Sequence, residues 1–318
     1  PKQWVGNNTR IGVQEFNDRK YFHLAGIVPV SGQQLDFKMP WHDALMPIAQ
    51  NYLAVERAVV ECAYAGCETI WIVCHDDIQP LIRYRLGDKV NDPVWQYRYK
   101  DPEPYKSKKP IPIFYVPMPV KDKDKRDCLS WSVLYGALAA CKVSGGISKW
   151  LMPGRCYVAF PYGIYQPQLL QKHRKKISNK NGFFLSHQGK TIKDGEYLGF
   201  TFKTADIKKF TKNFRRKATT KWVKPLPEDG KMKTLPIDER YSGRFFSLGD
   251  VFDIIELDKN EDTFFEVPWH FSIDSWEDYC YYIASNERKE VKRPSKGILN
   301  YAEWNKIGEP YDDESGDI

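Results

Sequence analysis

Residues 22–36 read FHLAGIVPVSGQQLD, and this stretch decides the fold. Phe22–Val30 is short, apolar and β-branched, the composition of a buried strand. It runs into Pro29, Ser31 and Gly32 and then turns polar, so a strand ends in a small-residue loop. The neighbouring segments decide how that loop is used. NYLAVERAVVECAYAG (51–66) places Leu53, Val55, Ala58, Val59, Cys62 and Ala63 near a 3.6-residue period, with Gly66 as a helix stop. ETIWIVC (68–74) reads as a second buried strand and IQPLIRYRLGD (78–88) as a second helix closed by Gly87. The proline-rich residues 91–110 read as a loop. IPIFYVPMP (111–119) reads as a strand, LSWSVLYGALAACKV (129–143) as a helix and RCYVAFPYG (155–163) as a strand running into a loop.

Strand and helix thus alternate over the first 165 residues, which predicts a mixed, mostly parallel α/β sheet with helices on both faces. Ligands of such sheets bind beyond the carboxyl ends of the strands, here in loops 29–43, 74–78, 117–130 and 160–166. Later segments are less regular. GEYLGFTFKTADIKKFTKNF reads as strand then helix, FFSLGDVFDIIE as loop then helix, and TFFEVPWHFSIDSWEDYCYYIAS as strand, turn and helix with Ser275 as cap. The expected organisation is an arm over 1–21, an α/β domain over 22–290 carrying a basic insertion at 172–224, and a tail over 291–318.

The 318 residues are 42% hydrophobic and 14% aromatic, the balance of a folded chain. No apolar run long enough for a membrane span and no leader is expected, which points to a cytoplasmic location. The seven cysteines (62, 67, 74, 128, 141, 156 and 280) contain no C-x-x-C pair. They read as free thiols in a reducing compartment, with no zinc site expected. The net charge is +7, but residues 172–224 hold 16 Lys or Arg against 3 acids, which leaves the remainder at −6. Arg174, Lys175, Lys176, Arg215, Arg216 and Lys217 are therefore candidates for a polyanion such as nucleic acid, with Phe214 and Trp222 among the cations. The competing reading is the solvated face of an amphipathic helix.

The ordered series of motifs resembles the sugar-phosphate nucleotidyltransferases, also called nucleotide-sugar pyrophosphorylases. LAGIVPVSG (24–32) matches that family's first strand and Gly-rich loop, and HDALMPI (42–48) its P-K-x-L-L-P-I. AVERAVVECAYAGCETIWIVC (54–74) and IRYRLGD (82–88) match its next helix, strand and helix. LYGALAA matches its G-T-A-G-A-L, CYVAFPYGIYQPQLL its strand ending in G-D, and WHFSIDSWEDYCYYI its W-x-D-I-G-T-P-E-D-Y. The wording of residues 31–67 also resembles proteins of large tailed bacteriophages, which would put the chain in a host cytoplasm or a virion. The resemblance implies a GT-A-like, Rossmann-type fold. It also implies a reaction in which a sugar-phosphate oxygen attacks a nucleoside triphosphate and pyrophosphate leaves. That reaction uses loop N–H groups, an Arg, a Lys and Mg²⁺ held by aspartates.

The matching positions have changed. Pro29, Val30, Ser31, Gly32, Gln33 and Gln34 occupy the nucleotide loop, with glutamine at the second glycine. His42 and Asp43 stand at the Pro-Lys pair, Val133 at the glycine of G-T-A, Pro161 or Tyr162 at the first metal aspartate and Phe271 or Ser272 at the second, where only a register slip of two would supply Asp274. The expectation is a binding or assembly module on this fold, with no cofactor and with a nucleotide, nucleotide sugar, protein or nucleic acid as partner. The alternative is an active Mg²⁺-dependent nucleotidyltransferase or related glycosyltransferase in which Lys38, Asp43, Asp76 and Asp274 are re-sited catalytic groups. A second alternative is nucleic-acid binding through the basic segment. Two further acidic pairs read as ordinary surface: His75-Asp76-Asp77 as a polar loop leading into a helix, and Asp122 with Asp124 as solvated charges in a lysine-rich loop.

Overall fold

A computed structural model describes residues 23–32, 41–94, 110–179, 181–219, 243–258, 260–294 and 297–299. Its strands are β1 (Leu24–Pro29), β2 (Pro47–Ala49), β3 (Tyr52–Leu53), β4 (Thr69–Cys74), β5 (Lys89–Asn91), β6 (Pro110–Pro117) and β7 (Arg155–Val158). They continue with β8 (Gly163–Ile164), β9 (Phe183–Ser186), β10 (Phe200–Lys203), β11 (Thr263–Glu266) and β12 (Phe271–Ser272). Eight of them form one sheet in the order β11-β9-β10-β7-β1-β4-β6-β5. The central run β7-β1-β4-β6 is parallel throughout, as the strand–helix alternation predicts. β10 pairs antiparallel with β7 and β9, and β5 antiparallel with β6, so the sheet is mixed toward both edges. The basic segment is not set apart from this sheet, because it supplies β9 and β10.

The helices are α1 (Ala54–Ala65), α2 (Gln79–Leu86), α3 (Val120–Arg126), α4 (Leu129–Ile147), α5 (Arg174–Ile177), α6 (Ile207–Thr219), α7 (Leu248–Phe252) and α8 (Trp276–Ala284). Where a one-faced helix was expected, every residue of α1 is buried, Glu56, Arg57 and Glu61 included. The reason lies far along the chain. Arg174 donates to Tyr64 O and Ala63 O, which brings the 167–174 segment down over the outer side of α1. Arg174 is also paired with Asp92 at 2.6 Å. α3 is a helix where a loop was expected. Asp122 on it is buried and lies 3.8 Å from Arg126, while Lys121 and Lys125 stay exposed. A helix can hold one acid inward and its lysines outward, which a run of charges does not reveal.

β8 shows how tightly the carboxyl side of the sheet is built. Gly163 pairs with Ser272 of β12. A Cβ at 163 would lie 1.9 Å from Tyr197 O and 2.9 Å from its carbonyl carbon. Backbone cannot retreat cheaply, so Gly163→Ala is expected to cost about 3 kcal/mol or more through overpacking. Urea unfolding checks this, and a loss below about 1 kcal/mol would show that the strand can shift.

Candidate functional site

The loops after β1, β4 and α3 meet at the carboxyl end of the sheet. Val30 and Ser31 both donate their N–H to Val73 O, at 2.9 and 2.8 Å, so the chain leaving β1 bends over the end of β4. Gly32 then passes against the start of α4, where a Cβ would come within 2.9 Å of Leu129 N. Close backbone approach is what the small residue allows. Ser132 on α4 donates its hydroxyl to Ser31 O and fixes the turn.

Inside this turn Ser31 is fully buried. Its hydroxyl donates to Asp127 Oδ1 at 3.2 Å and lies 3.0 Å from His75 Nε2. His75 Nε2 in turn lies 3.0 Å from Asp127 Oδ2. Serine and aspartate thus share one ring nitrogen, which is a locked knot and not the relay of a hydrolase, where the acid holds the opposite nitrogen. Asp127 sits two residues before the first turn of α4. The sequence reading did not single out Asp127. Its position just ahead of an apolar 3.6-period run was the available signal. Asp76 and Asp77 do not join the knot. Both are exposed, and Asp77 accepts from Ile78 N at the start of the next helix, as the polar-loop reading expects.

His42 completes this corner. Its Nδ1 accepts the Ala44 N–H at 3.1 Å, which places the ring proton on Nε2. That Nε2 is buried and has no hydrogen-bond partner among the described residues. Burial, with His75 nearby, lowers the His42 pKa to about 4, against the opposing pull of Asp77 and Asp127. The ring is therefore neutral at pH 7. His75 Nδ1 is likewise buried without a partner among the described residues. The corner therefore holds two unpartnered imidazole nitrogens, one on His42 and one on His75.

The remaining sequence candidates fall in three places. Pro29 and Val30 are buried under the turn, and Val133 is core on α4. Gln33, Gln34 and Lys38 lie outside the described residues, as does Trp222. Asp43 and Tyr162 are buried near each other, and Tyr162 packs on Tyr197 with ring centroids 5.7 Å apart. Burial and the Asp43 charge raise the Tyr162 pKa. Ser272 donates to Glu196 at 2.7 Å, and Asp274 accepts from Tyr197 Oη at 2.6 Å. Desolvation raises the Asp274 pKa despite that hydrogen bond. Among the described residues no group of three or more His, Cys, Asp or Glu side chains is placed to hold a metal ion.

The basic candidates divide. Arg174 is turned inward onto Asp92, and Lys217 is paired with Asp253 at 2.7 Å. Lys175, Lys176, Arg215 and Arg216 are exposed. Phe214 is buried against Trp131 and Phe246 at 5.0 and 4.9 Å, so it is not a stacking platform for bases. α6 is the amphipathic helix of the competing reading. No described helix is long and apolar enough to cross a membrane.

No protein-family model matches the chain, and no curated protein matches it. Solved structures do. A Bacillus anthracis protein provisionally named a glucose-1-phosphate thymidylyltransferase, in complex with a sucrose, matches over 86% of this chain and 98% of its own. It shares 8% identity at a TM-score of 0.51. A nucleotidyl transferase from Methanothermobacter thermautotroptrophicus matches over 83% and 99%, at 12% identity and a TM-score of 0.47. A UDP-glucose pyrophosphorylase complexed with UDP-glucose matches over 82% and 97%, at 11% identity and a TM-score of 0.45. The first of these fixes the fold class: a mostly parallel, helix-flanked sheet of the nucleotidyltransferase type.

Proposed function

We propose that the protein is a binding module on a nucleotidyltransferase fold, which holds a nucleotide or nucleotide sugar at the carboxyl end of its sheet and does not transfer the nucleotidyl group. The observation that carries this reading is the pair of unused imidazole nitrogens, His42 Nε2 and His75 Nδ1. A buried polar atom left without a partner costs about 1–3 kcal/mol. A hydroxyl of a ribose or hexose is donor and acceptor at once, the chemistry that an unpartnered imidazole nitrogen lacks. The site lies where α/β sheets take their ligands.

The absence of transfer rests on the chemistry of the matching positions. An in-line attack on a phosphate needs cations and metal-binding carboxylates aimed at the developing charge. His42 is neutral, Asp43 is an acid where a cation is needed, Tyr162 lies in the core and Ser272 is bound to Glu196. Asp274, the re-sited alternative, is hydrogen-bonded to Tyr197. Incubation with each nucleoside triphosphate, a panel of sugar 1-phosphates and Mg²⁺ is expected to release pyrophosphate no faster than a protein-free control. Release above that control would reinstate the enzyme. His75→Leu, which removes that ring nitrogen, is expected to weaken nucleotide-sugar binding about tenfold or more, the value of one well-placed hydrogen bond. Unchanged affinity in that variant would remove the imidazole pair from the account.

A further inference from the structure

At the opposite end of the sheet lies a cavity of about 230 Å³ that the nucleotide reading does not use. It has room for about seven waters at roughly 30 Å³ each, the scale of a small metabolite. Its floor is the amino end of β7. Arg155, the first residue of that strand, pairs with Lys203, the last of β10, and both line the cavity.

Arg155 is 3% exposed, and its guanidinium is fixed by neutral groups. Nη1 donates to Asn179 O and Asn181 O, and Nη2 donates to Thr201 Oγ1 at 3.2 Å. Nε has no partner among the described residues. A buried guanidinium with an unused N–H favours an anion in front of it. The carboxylates nearby are differently placed. Asp262 accepts from Gly182 N and Asp258 N, so its oxygens are engaged. Asp262 and then Asp206 act electrostatically on Arg155, and the Asp206 carboxylate makes no hydrogen bond among the described residues; Glu261 lines the cavity as well. Lys209 and Glu256 neutralise each other at 2.7 Å. Phe184, Phe202 and Phe210 give the cavity an apolar part. A pure anion would meet Asp206, Glu261 and Asp262, and a pure cation would meet Arg155 and Lys203. A ligand bearing both signs meets a partner on each side.

We propose that this cavity binds a small zwitterion, an α-amino acid with an apolar side chain. Its carboxylate would sit beside Arg155 and Lys203, its ammonium on Asp206, and its side chain toward the apolar part of the lining. The site is separate from the His42–His75 corner, so either can fail without the other.

Calorimetric titration of the full chain tests it, with L-phenylalanine and L-leucine as probes. Phenethylamine and 3-phenylpropionate, which each lack one charge of phenylalanine, are the controls. One amino acid at least is expected to bind, with both controls at least tenfold weaker than phenylalanine or without measurable binding. Arg155→Gln removes hydrogen bonds to two loop carbonyls and is expected to unfold that corner. Asp206→Asn and Lys203→Gln, at positions at least partly open to solvent, carry the test instead. Each is expected to weaken amino-acid binding about tenfold, the value of one charged hydrogen bond. No binding of either amino acid at millimolar concentration would overturn the proposal. So would equal binding of a control, or unchanged affinity in both variants.

Discussion

Glu61→Leu is expected to cost the folded chain about 3–5 kcal/mol, because it leaves Arg57 charged, buried and without its counter-ion. Both side chains are fully buried on α1, and Arg57 Nη1 lies 2.9 Å from Glu61 Oε2 one helical turn away. Arg57 Nη2 donates to Phe160 O at 2.6 Å, its guanidinium lies 4.9 Å from the Tyr165 ring centre, and Tyr157 donates to Glu61 at 2.7 Å. The pair thus fastens α1 to the loop after β7. Removing both charges is a different experiment. Arg57→Met with Glu61→Leu leaves no buried ion and is expected to cost less than Glu61→Leu alone, since a buried pair repays little more than its own desolvation. Urea midpoints of the single and double variants decide it. A single variant within about 1 kcal/mol of the parent would mean that solvent reaches Arg57.

Acidification from pH 7 to pH 4 is expected to remove about 3 kcal/mol of stability through His42 and a similar amount through His270. Burial lowers both pKa values from 6.5 to about 4. For His270 the opposing influences are Glu196 and the Tyr197 carbonyl, while Arg57 and His187 add to the lowering. In the unfolded chain each imidazole takes up a proton below pH 6.5, while the folded chain holds it neutral until about pH 4. The unfolded state therefore binds more protons throughout that window. Stability is complete above pH 6.5, falls as the pH drops, and levels off below about 4. Glu196, whose pKa is lowered by Ser272 and Lys190 against its burial, adds a further loss only below its ordinary value of 4.5. Urea unfolding at pH 7 and at pH 4.5 should show a smaller difference for His42→Gln and for His270→Gln than for the parent. Equal differences in all three would mean that neither ring is held neutral.

The apolar scaffold was legible because it is periodic. β1, α1, β4, α2, β6, α4 and β7 all fall where alternation and turn residues place them. The short strands β8 and β12 were not legible, because two residues carry no period. The burial of α1 on all sides was not legible either, since it depends on Arg174, more than a hundred residues from the carbonyls it holds. The site failed for the same reason. Ser31, His75 and Asp127 lie 44, 52 and 96 residues apart in pairs, and no local pattern announces such a meeting. His75 was legible only as a neighbour of two aspartates that it does not use. Arg57 and Glu61, four apart on a helix, had the spacing of a solvated pair and became core because of what the later chain laid over them.

The proposed function has the carboxyl end of this sheet bind a nucleotide or nucleotide sugar without transferring it. Thermal unfolding of the full chain against nucleoside triphosphates and nucleotide sugars, each with and without Mg²⁺, tests it most directly. A ligand at about 100 times its dissociation constant adds about 2.7 kcal/mol. The account predicts a raised melting temperature with at least one nucleotide or nucleotide sugar, of the same size with and without Mg²⁺. A rise that appears only with Mg²⁺, or no rise with any of them, would contradict it.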